Sequence, residues 1–247
     1  MTRLWVGTSG YSFKEWRGGF YPEELPADSM LRFYGERLPA VEINNTFYRL
    51  PKRSVLEAWA AQVPEDFRFA LKASQKITHY KRLHDVAEET SYLFRTVAAL
   101  GARTGPVLVG LPPSLKKDLP RLQGFLALLV EEDVQAPVAF EFRHPSWQDE
   151  EVRAALRDSG RILCQADTDE APLGELVPTG PIGYLRLRRE EYSDEDLQRW
   201  LATVRGQEWR EAYVFFKHED ERGPHAARRF LDLAASPAAP ASGPQEP

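Results

Sequence analysis

Short apolar runs recur along this chain at LWVGTS (4–9), AVEINNT (40–46), FRFALKAS (67–74), PVLVGLP (106–112), PVAFEFR (137–143), RILCQAD (161–167), IGYLRLR (182–188) and AYVFFKH (212–218). Each has the length and the β-branched or aromatic content of a strand. Amphipathic helical patterns fill most of the intervals, as in SVLEAWAAQV (54–63), VAEETSYLFRTVAALG (86–101) and LPRLQGFLALLVEE (119–132). A strand can pair with a parallel neighbour only after a crossover, so this alternation predicts parallel strands joined by helices. Eight such units in 247 residues, with no internal break in composition, predict a closed α/β barrel of the TIM type rather than an open sheet. Residues 1–235 read as a single barrel domain and 236–247, SPAAPASGPQEP, as a disordered Pro/Ala-rich tail. Two connections depart from the ideal. The first, 9–28, is long and aromatic, and TDEAPLGELVPTGP (168–181) has so little helical pattern that the sixth helix is expected to be short or missing.

Composition narrows the function classes. With a formal net charge of −5 the chain has no bulk positive field, so any site for an anion must be local. The single cysteine, Cys164, excludes an internal disulfide framework and a multi-cysteine zinc site, and fits a reducing cytoplasm. The N-terminal MTRLWVGTSG holds no long apolar run, so neither a signal peptide nor a membrane span is expected. GTSGYSFKEW lacks the Walker and dinucleotide spacings, and no GxSxG or HExxH occurs, so no motif names a cofactor.

Within the strand VEINN, Glu42 and Asn44 share one face and Val41 and Ile43 the other. Taking the more polar set as the barrel interior places Glu42, Asn44 and Thr46 inside, with Arg68 and Lys72 from the third strand and Glu141 and Arg143 from the fifth. The same rule adds Gln165 and Asp167 from the sixth, Tyr184, Arg186 and Arg188 from the seventh, and Tyr213, Phe215 and Lys217 from the eighth. The polar members cluster toward the strands' C-terminal ends, where barrels of this type place their active sites. Glu42, Lys72, Glu141, Arg143, Asp167, Arg186 and Lys217 then form a ring with a slight excess of cations, which points to an anionic or strongly polar ligand. Unit charges about 4 Å apart interact by about 4 kcal/mol at an effective dielectric near 20, enough for such a ring to keep its own carboxylates ionised. Arg188, nearer its strand end, is expected to be a solvated charge. His79, His144 and His218 follow strands on the same face. The aromatics Tyr11, Phe13, Trp16, Phe20 and Tyr21, with Trp147, are candidates to wall or cover the cavity or simply to pack on the barrel top.

Several stretches, GTSGYSFKEWRGGFYP, VEINNTFYRLP, FALKASQKITHYKRL, GPVLVGLPPS, FEFRHPSW and AYVFFKHED, together resemble the YecE-like family, a bacterial and archaeal domain of unknown function. The resemblance runs from about residue 4 to 235 and implies an eightfold βα barrel. It carries over Thr8, Ser9 and Gly10, then Glu42, Asn44, Thr46, Phe47 and Tyr48, then Lys72, Thr78 and His79, and finally Glu141, Arg143, His144 and Trp147. Where many members have an Asn pair after the last strand, this chain has Lys217 and His218.

The leading expectation is an acid/base enzyme acting on a polar, anionic small molecule such as a phosphorylated or carboxylated sugar. In that reading Glu42, Lys72, Glu141 and Lys217 are catalytic, and Asn44, Thr46, Tyr48, His79, Arg143, His144, Trp147, Asp167, Arg186 and His218 bind substrate. Two alternatives stand beside it. One is a nucleic-acid binder using the basic stretch KASQKITHYKRLH (72–84); the other is a metal-dependent phosphoester hydrolase built on Glu42, Glu141, Asp167 and His218.

Overall fold

The computed structural model of the chain describes residues 1–236; the Pro/Ala-rich segment lies outside them from residue 237 onward. Eight strands run in parallel around a closed barrel in sequence order. They are β1 (Arg3–Ser9), β2 (Ala40–Ile43), β3 (Arg68–Lys72), β4 (Thr104–Gly110), β5 (Val138–Glu141), β6 (Ile162–Asp167), β7 (Ile182–Leu187) and β8 (Glu211–Phe216). β8 closes on β1 in continuous register from Arg3 opposite Glu211 to Thr8 opposite Phe216. Outside lie α1 (Met30–Gly35), α2 (Arg53–Ala60), α3 (Ala87–Val97), α4 (Leu119–Glu131), α5 (Glu150–Asp158), α6 (Asp194–Arg205) and α7 (Arg222–Ala235). The strands' outward residues, such as Val41, Phe69, Val107 and Phe140, meet the helices in one large apolar layer. A smaller cluster of Trp5, Ala40, Ala70, Leu108, Ala139, Ile162, Cys164, Tyr184, Tyr213 and Phe215 fills the barrel interior.

Seven helices serve eight strands because residues 168–181 cross from β6 to β7 without one. A connection with no helical ladder must satisfy its peptide groups elsewhere, and here the outer face of β6 does it. Val177 N–H donates to Gln165 Oε1 at 2.8 Å, Gln165 Nε2 donates to the Val177 carbonyl at 3.3 Å, and Leu173 N–H donates to Asp167 Oδ1 at 2.8 Å. This corrects the parity expected for β6. Gln165 and Asp167 face outward onto the helix-free connection, while Ile162 and Cys164 face in.

The long first connection folds onto the barrel wall. Trp16 and Tyr21 are buried and pack with Phe20, Phe33 and Tyr34, so they belong to the core rather than to a cavity lining. Tyr34 wedges its hydroxyl between β1 and β2, accepting from Thr8 N–H and donating to the Ala40 carbonyl, both at 2.8 Å. Gly7 makes room: a Cβ there would strike the Ala40 carbonyl and come within 2.8 Å of the Tyr34 hydroxyl oxygen.

Candidate active site

At the C-terminal end of the barrel four strands project charged side chains inward. Glu42 lies one residue from the end of β2 with 0% exposure, Glu141 ends β5 with 4%, and Arg186 lies on β7 with 2%. The Arg186 guanidinium bridges the two carboxylates: Nη2 donates to Glu42 Oε1 and Nη1 to Glu141 Oε1, each at 2.8 Å. A buried charge is tolerated only when paired and hydrogen-bonded, and in this triad every carboxylate oxygen and both Arg186 Nη atoms are engaged, while Arg186 Nε is buried without a partner among the described residues. Glu42 also accepts from Ser9 Oγ (2.7 Å), Tyr184 Oη (2.7 Å) and Asn44 Nδ2 (3.0 Å). Glu141 Oε2 accepts from Arg143 Nε (3.2 Å) and Nη2 (3.1 Å), and Arg188 Nη2 lies 3.2 Å from its Oε1.

The protonation states follow from these contacts. Burial works against the Glu141 carboxylate, yet Arg186 and then Arg143 outweigh it and hold its pKa below the ordinary carboxylate range. Burial likewise disfavours the Arg186 charge, and Glu42 and Glu141 reverse that, fixing it as a cation. Burial, then the Glu42 charge, pushes the Tyr184 phenol well up, so it stays a donor.

Lys72, the last residue of β3, differs from the other three. Among the described residues it enters no ion pair and no side-chain hydrogen bond; its Nζ lies 4.3 Å from the centre of the Phe47 ring. Its stem runs beside Gly110, where a Cβ would come within 3.7 Å of Lys72 Cε and 3.2 Å of Glu141 Oε2. Burial, then Arg143 and Arg186, lower its pKa against the weaker pull of Glu141 and Glu42. Phe47 also meets the rings of His79 (4.8 Å) and Tyr48 (5.0 Å) edge-on. Burial, then Lys72 and Arg143, lower the His79 pKa, and its Nδ1 is 2.8 Å from Thr78 Oγ1. The mouth of the barrel therefore carries Lys72, Arg143, Arg186 and Arg188 against Glu42 and Glu141, with both carboxylates fully engaged.

The sequence matches, over residues 5–247, the family described as protein of unknown function DUF72. The chain belongs to this family. Among curated relatives it is similar to the UPF0759 protein YunF of Bacillus subtilis, with 25% identity over 88% of this chain and 79% of that protein. It is also similar to the UPF0759 protein YecE of Escherichia coli, 29% identical over 58% of this chain and 50% of YecE. A DUF72 protein from Thermotoga maritima superposes with a TM-score of 0.82 and 27% identity, covering 95% of this chain and all of that one. A second, from Enterococcus faecalis, has a TM-score of 0.78 at 18% identity over 97% of each chain and shares the fold.

In this DUF72 barrel the expected residues fall into three groups. Glu42, Asn44, Lys72, Glu141, Arg143 and Arg186 meet at the mouth, with His79 beside them through Phe47. Tyr48 stands 72% exposed at the rim. Thr46, His144 and Trp147 serve the backbone instead. Thr46 Oγ1 donates to the carbonyls of Lys72 (2.7 Å) and Ile43 (3.1 Å). His144 Nδ1 accepts from Ser146 N–H (3.1 Å), capping its own turn, and the buried Trp147 donates to the Leu115 carbonyl (2.7 Å). Asp167, Lys217 and His218 lie off the ring. Asp167 accepts from Tyr192 Oη at 2.9 Å on the outer side, Lys217 is exposed one residue beyond β8, and His218 packs against Gly223 in α7. Glu42, Glu141, Asp167 and His218 consequently do not converge, and no group of three or more metal-ligating side chains forms among the described residues. Ser9, Tyr184 and Arg188, to which the sequence alone assigns no catalytic or binding role, join the site, and Arg188, expected as a solvated charge, instead pairs with Glu141. All three have the inward parity of their strands, which is the signal that identifies them. No helix of the described residues is long and apolar enough to cross a membrane.

Proposed function

We propose that this protein is an enzyme that binds a small anionic substrate at the C-terminal mouth of the barrel and transforms it by proton transfer. The observation that carries the reading is the surplus of positive charge around an unpaired amine. Arg186 is consumed in holding Glu42 and Glu141, whereas Arg143 and Arg188 reach toward solvent with donors to spare, their side chains 35% and 21% exposed. A half-exposed guanidinium fork suits a carboxylate or phosphate. Glu42 accepts four side-chain hydrogen bonds and is closed to solvent, so it serves as an anchor. Glu141, held ionised by arginines, is similarly engaged. The acid/base role falls to Lys72, whose lowered pKa gives it a larger neutral fraction near neutrality than an ordinary lysine has.

The test is thermal stabilisation by a panel of sugar phosphates, sugar acids and inorganic phosphate, since a ligand that binds only the folded chain raises its apparent stability. A shift of several degrees that disappears in Arg143→Ala, with the unliganded Tm unchanged, is expected. A shift that survives Arg143→Ala and Arg188→Ala moves the ligand away from the mouth.

Binding to single-stranded nucleic acid is a second reading, favoured by Tyr48 and Tyr80, both 72% exposed in segments that border the mouth. It is weakened by Glu89, which neutralises Lys76 at 2.7 Å and Lys81 at 3.0 Å within the basic stretch. Oligonucleotide affinity that falls steeply with salt supports this reading; no binding at low salt removes it.

A further inference from the structure

The described lysines that touch carboxylates show what an ordinary structural lysine does here. Lys76 and Lys81 share Glu89, and Lys117 lies 2.8 Å from Asp149 and also pairs with Glu151. Lys72 has Glu42 and Glu141 as neighbours and pairs with neither, because their oxygens are taken by Ser9, Asn44, Tyr184, Arg143, Arg186 and Arg188. Its amine rests instead on the Phe47 ring, part-buried, close enough to Arg143 to feel its charge, and Arg143 keeps a part-exposed side chain while holding Glu141. An ammonium meant only for charge balance gains from contact with a carboxylate. An amine meant to attack carbon must be free of one, since hydrogen bonding and pairing stabilise the protonated form that has no lone pair.

We propose that Lys72 is a covalent nucleophile: its amine condenses with the carbonyl carbon of an aldehyde or ketone that also bears a carboxylate or phosphate, and Arg143 holds that anion. The inference rests on the reading of the mouth as an anion site and narrows its substrate to carbonyl compounds. In the step, the lone pair of neutral Lys72 Nζ forms a C–N bond while the carbonyl oxygen takes up a proton, giving a carbinolamine. Over the two stages the nitrogen gives up both of its protons, the hydroxyl takes up a second proton, the C–O bond breaks and the oxygen leaves as water. The product is an imine, with C=N in place of C=O, and nothing is oxidised or reduced. Once protonated, the imine withdraws electrons from the adjacent carbon, which suits cleavage or formation of a C–C bond, or loss of a proton, next to the former carbonyl. His79 meets the same Phe47 ring, and burial, then Lys72 and Arg143, lower its pKa, which suits it to relay the proton.

The experiment is reductive trapping. The full chain is incubated near neutral pH with glyoxylate, pyruvate, dihydroxyacetone phosphate or glyceraldehyde 3-phosphate, then treated with cyanoborohydride and analysed by intact mass and peptide mapping. One adduct per chain is expected with at least one probe, carried by the peptide containing Lys72. It should be absent in Lys72→Met and at least tenfold slower to form in Arg143→Ala. Lys217, exposed and in no ion pair among the described residues, is the internal control, so labelling at Lys72 should exceed labelling at Lys217 at least tenfold even if Lys72→Met does not fold. Equal labelling of the two lysines overturns the proposal. So does the absence of any adduct when lactate or glycerol 3-phosphate, which have the anion but no carbonyl, raise the Tm; the anion site then stands and the imine falls. If no probe binds and none is trapped, the anion site falls as well.

Discussion

The two ends of the barrel interior are built from the same alternation and reach opposite balances. At the N-terminal end, Trp5 lies between two guanidinium groups, Arg3 at 4.1 Å and Arg68 at 4.4 Å from its ring. It stacks on Tyr213 at 6.2 Å and donates from Nε1 to Glu211 at 2.8 Å. Each charge there has an aromatic face or a counter-charge, and the arrangement is self-sufficient. At the C-terminal end Arg186 bridges two carboxylates and Lys72 has the Phe47 ring, but four cations, Lys72, Arg143, Arg186 and Arg188, face only Glu42 and Glu141, and the solvent-side edges of Arg143 and Arg188 are left over. Charged interiors therefore carry no functional meaning by themselves; the surplus left after internal pairing does.

Three substitutions grade this contrast. Arg186→Ala strips the shared partner from two buried carboxylates and should lower the unfolding free energy by about 3–5 kcal/mol, read by urea denaturation. Trp5→Ala at the opposite end should cost a similar amount through lost packing, about 3–5 kcal/mol. The discriminating result is ligand response: the Trp5 variant, where it folds, should keep the anion-dependent Tm shift, and its loss would mean that the two ends are not independent. Tyr184→Phe deletes one hydrogen bond to the Glu42 carboxylate and should cost about 1.5–3 kcal/mol. A cost near zero would show that the Glu42 anchor is redundant.

Lys72→Met should have the smallest effect on stability, and that effect should depend on pH. The folded-state pKa of Lys72 lies below its ordinary 10.5, so between the two values the unfolded chain binds more protons and stability rises with pH. Below the folded pKa the charged amine weighs against folding by its full amount. The wild type should therefore gain on Lys72→Met as pH is raised toward 10.5, measured by denaturant unfolding at a series of pH values. Parallel curves would place the Lys72 amine in an unperturbed environment and remove its special status.

Much of this was legible in the sequence. Alternation located all eight strands, and parity put Glu42, Lys72, Glu141 and Arg186 into one interior because each lies within a strand whose other face is continuously apolar. Parity misled at β6, where the apolar set, Ile162 and Cys164, fills the interior and the helix-free connection draws the polar set, Gln165 and Asp167, outward. It also reached too far at β8, whose pairing stops at Phe216, leaving Lys217 in solvent. His144 and Trp147 fold back on neighbouring backbone, a local geometry with no periodic signature. Arg188 lies just past its strand end, yet its length lets the guanidinium turn back to Glu141. The engagement of both carboxylates, which moves the chemistry to Lys72, depends on distances among side chains from β1, β2, β5 and β7 that no single segment encodes.

The helix-free crossing between β6 and β7 has a consequence for engineering. Six crossovers are bolted to the barrel by apolar helix faces, whereas this one is held by the buried Leu176, by Leu173 against the core and by a few hydrogen bonds, and exposes residues 169–172, 174 and 175. Such a span is where a foreign peptide, a reporter domain or new chain termini can be spliced in with least damage, provided Gln165, Asp167, Leu173 and Val177 keep their clasp. The handle starts at the C-terminal end of β6, where Asp169 accepts from Glu190 N–H at 2.8 Å, and runs down the outer wall to β7.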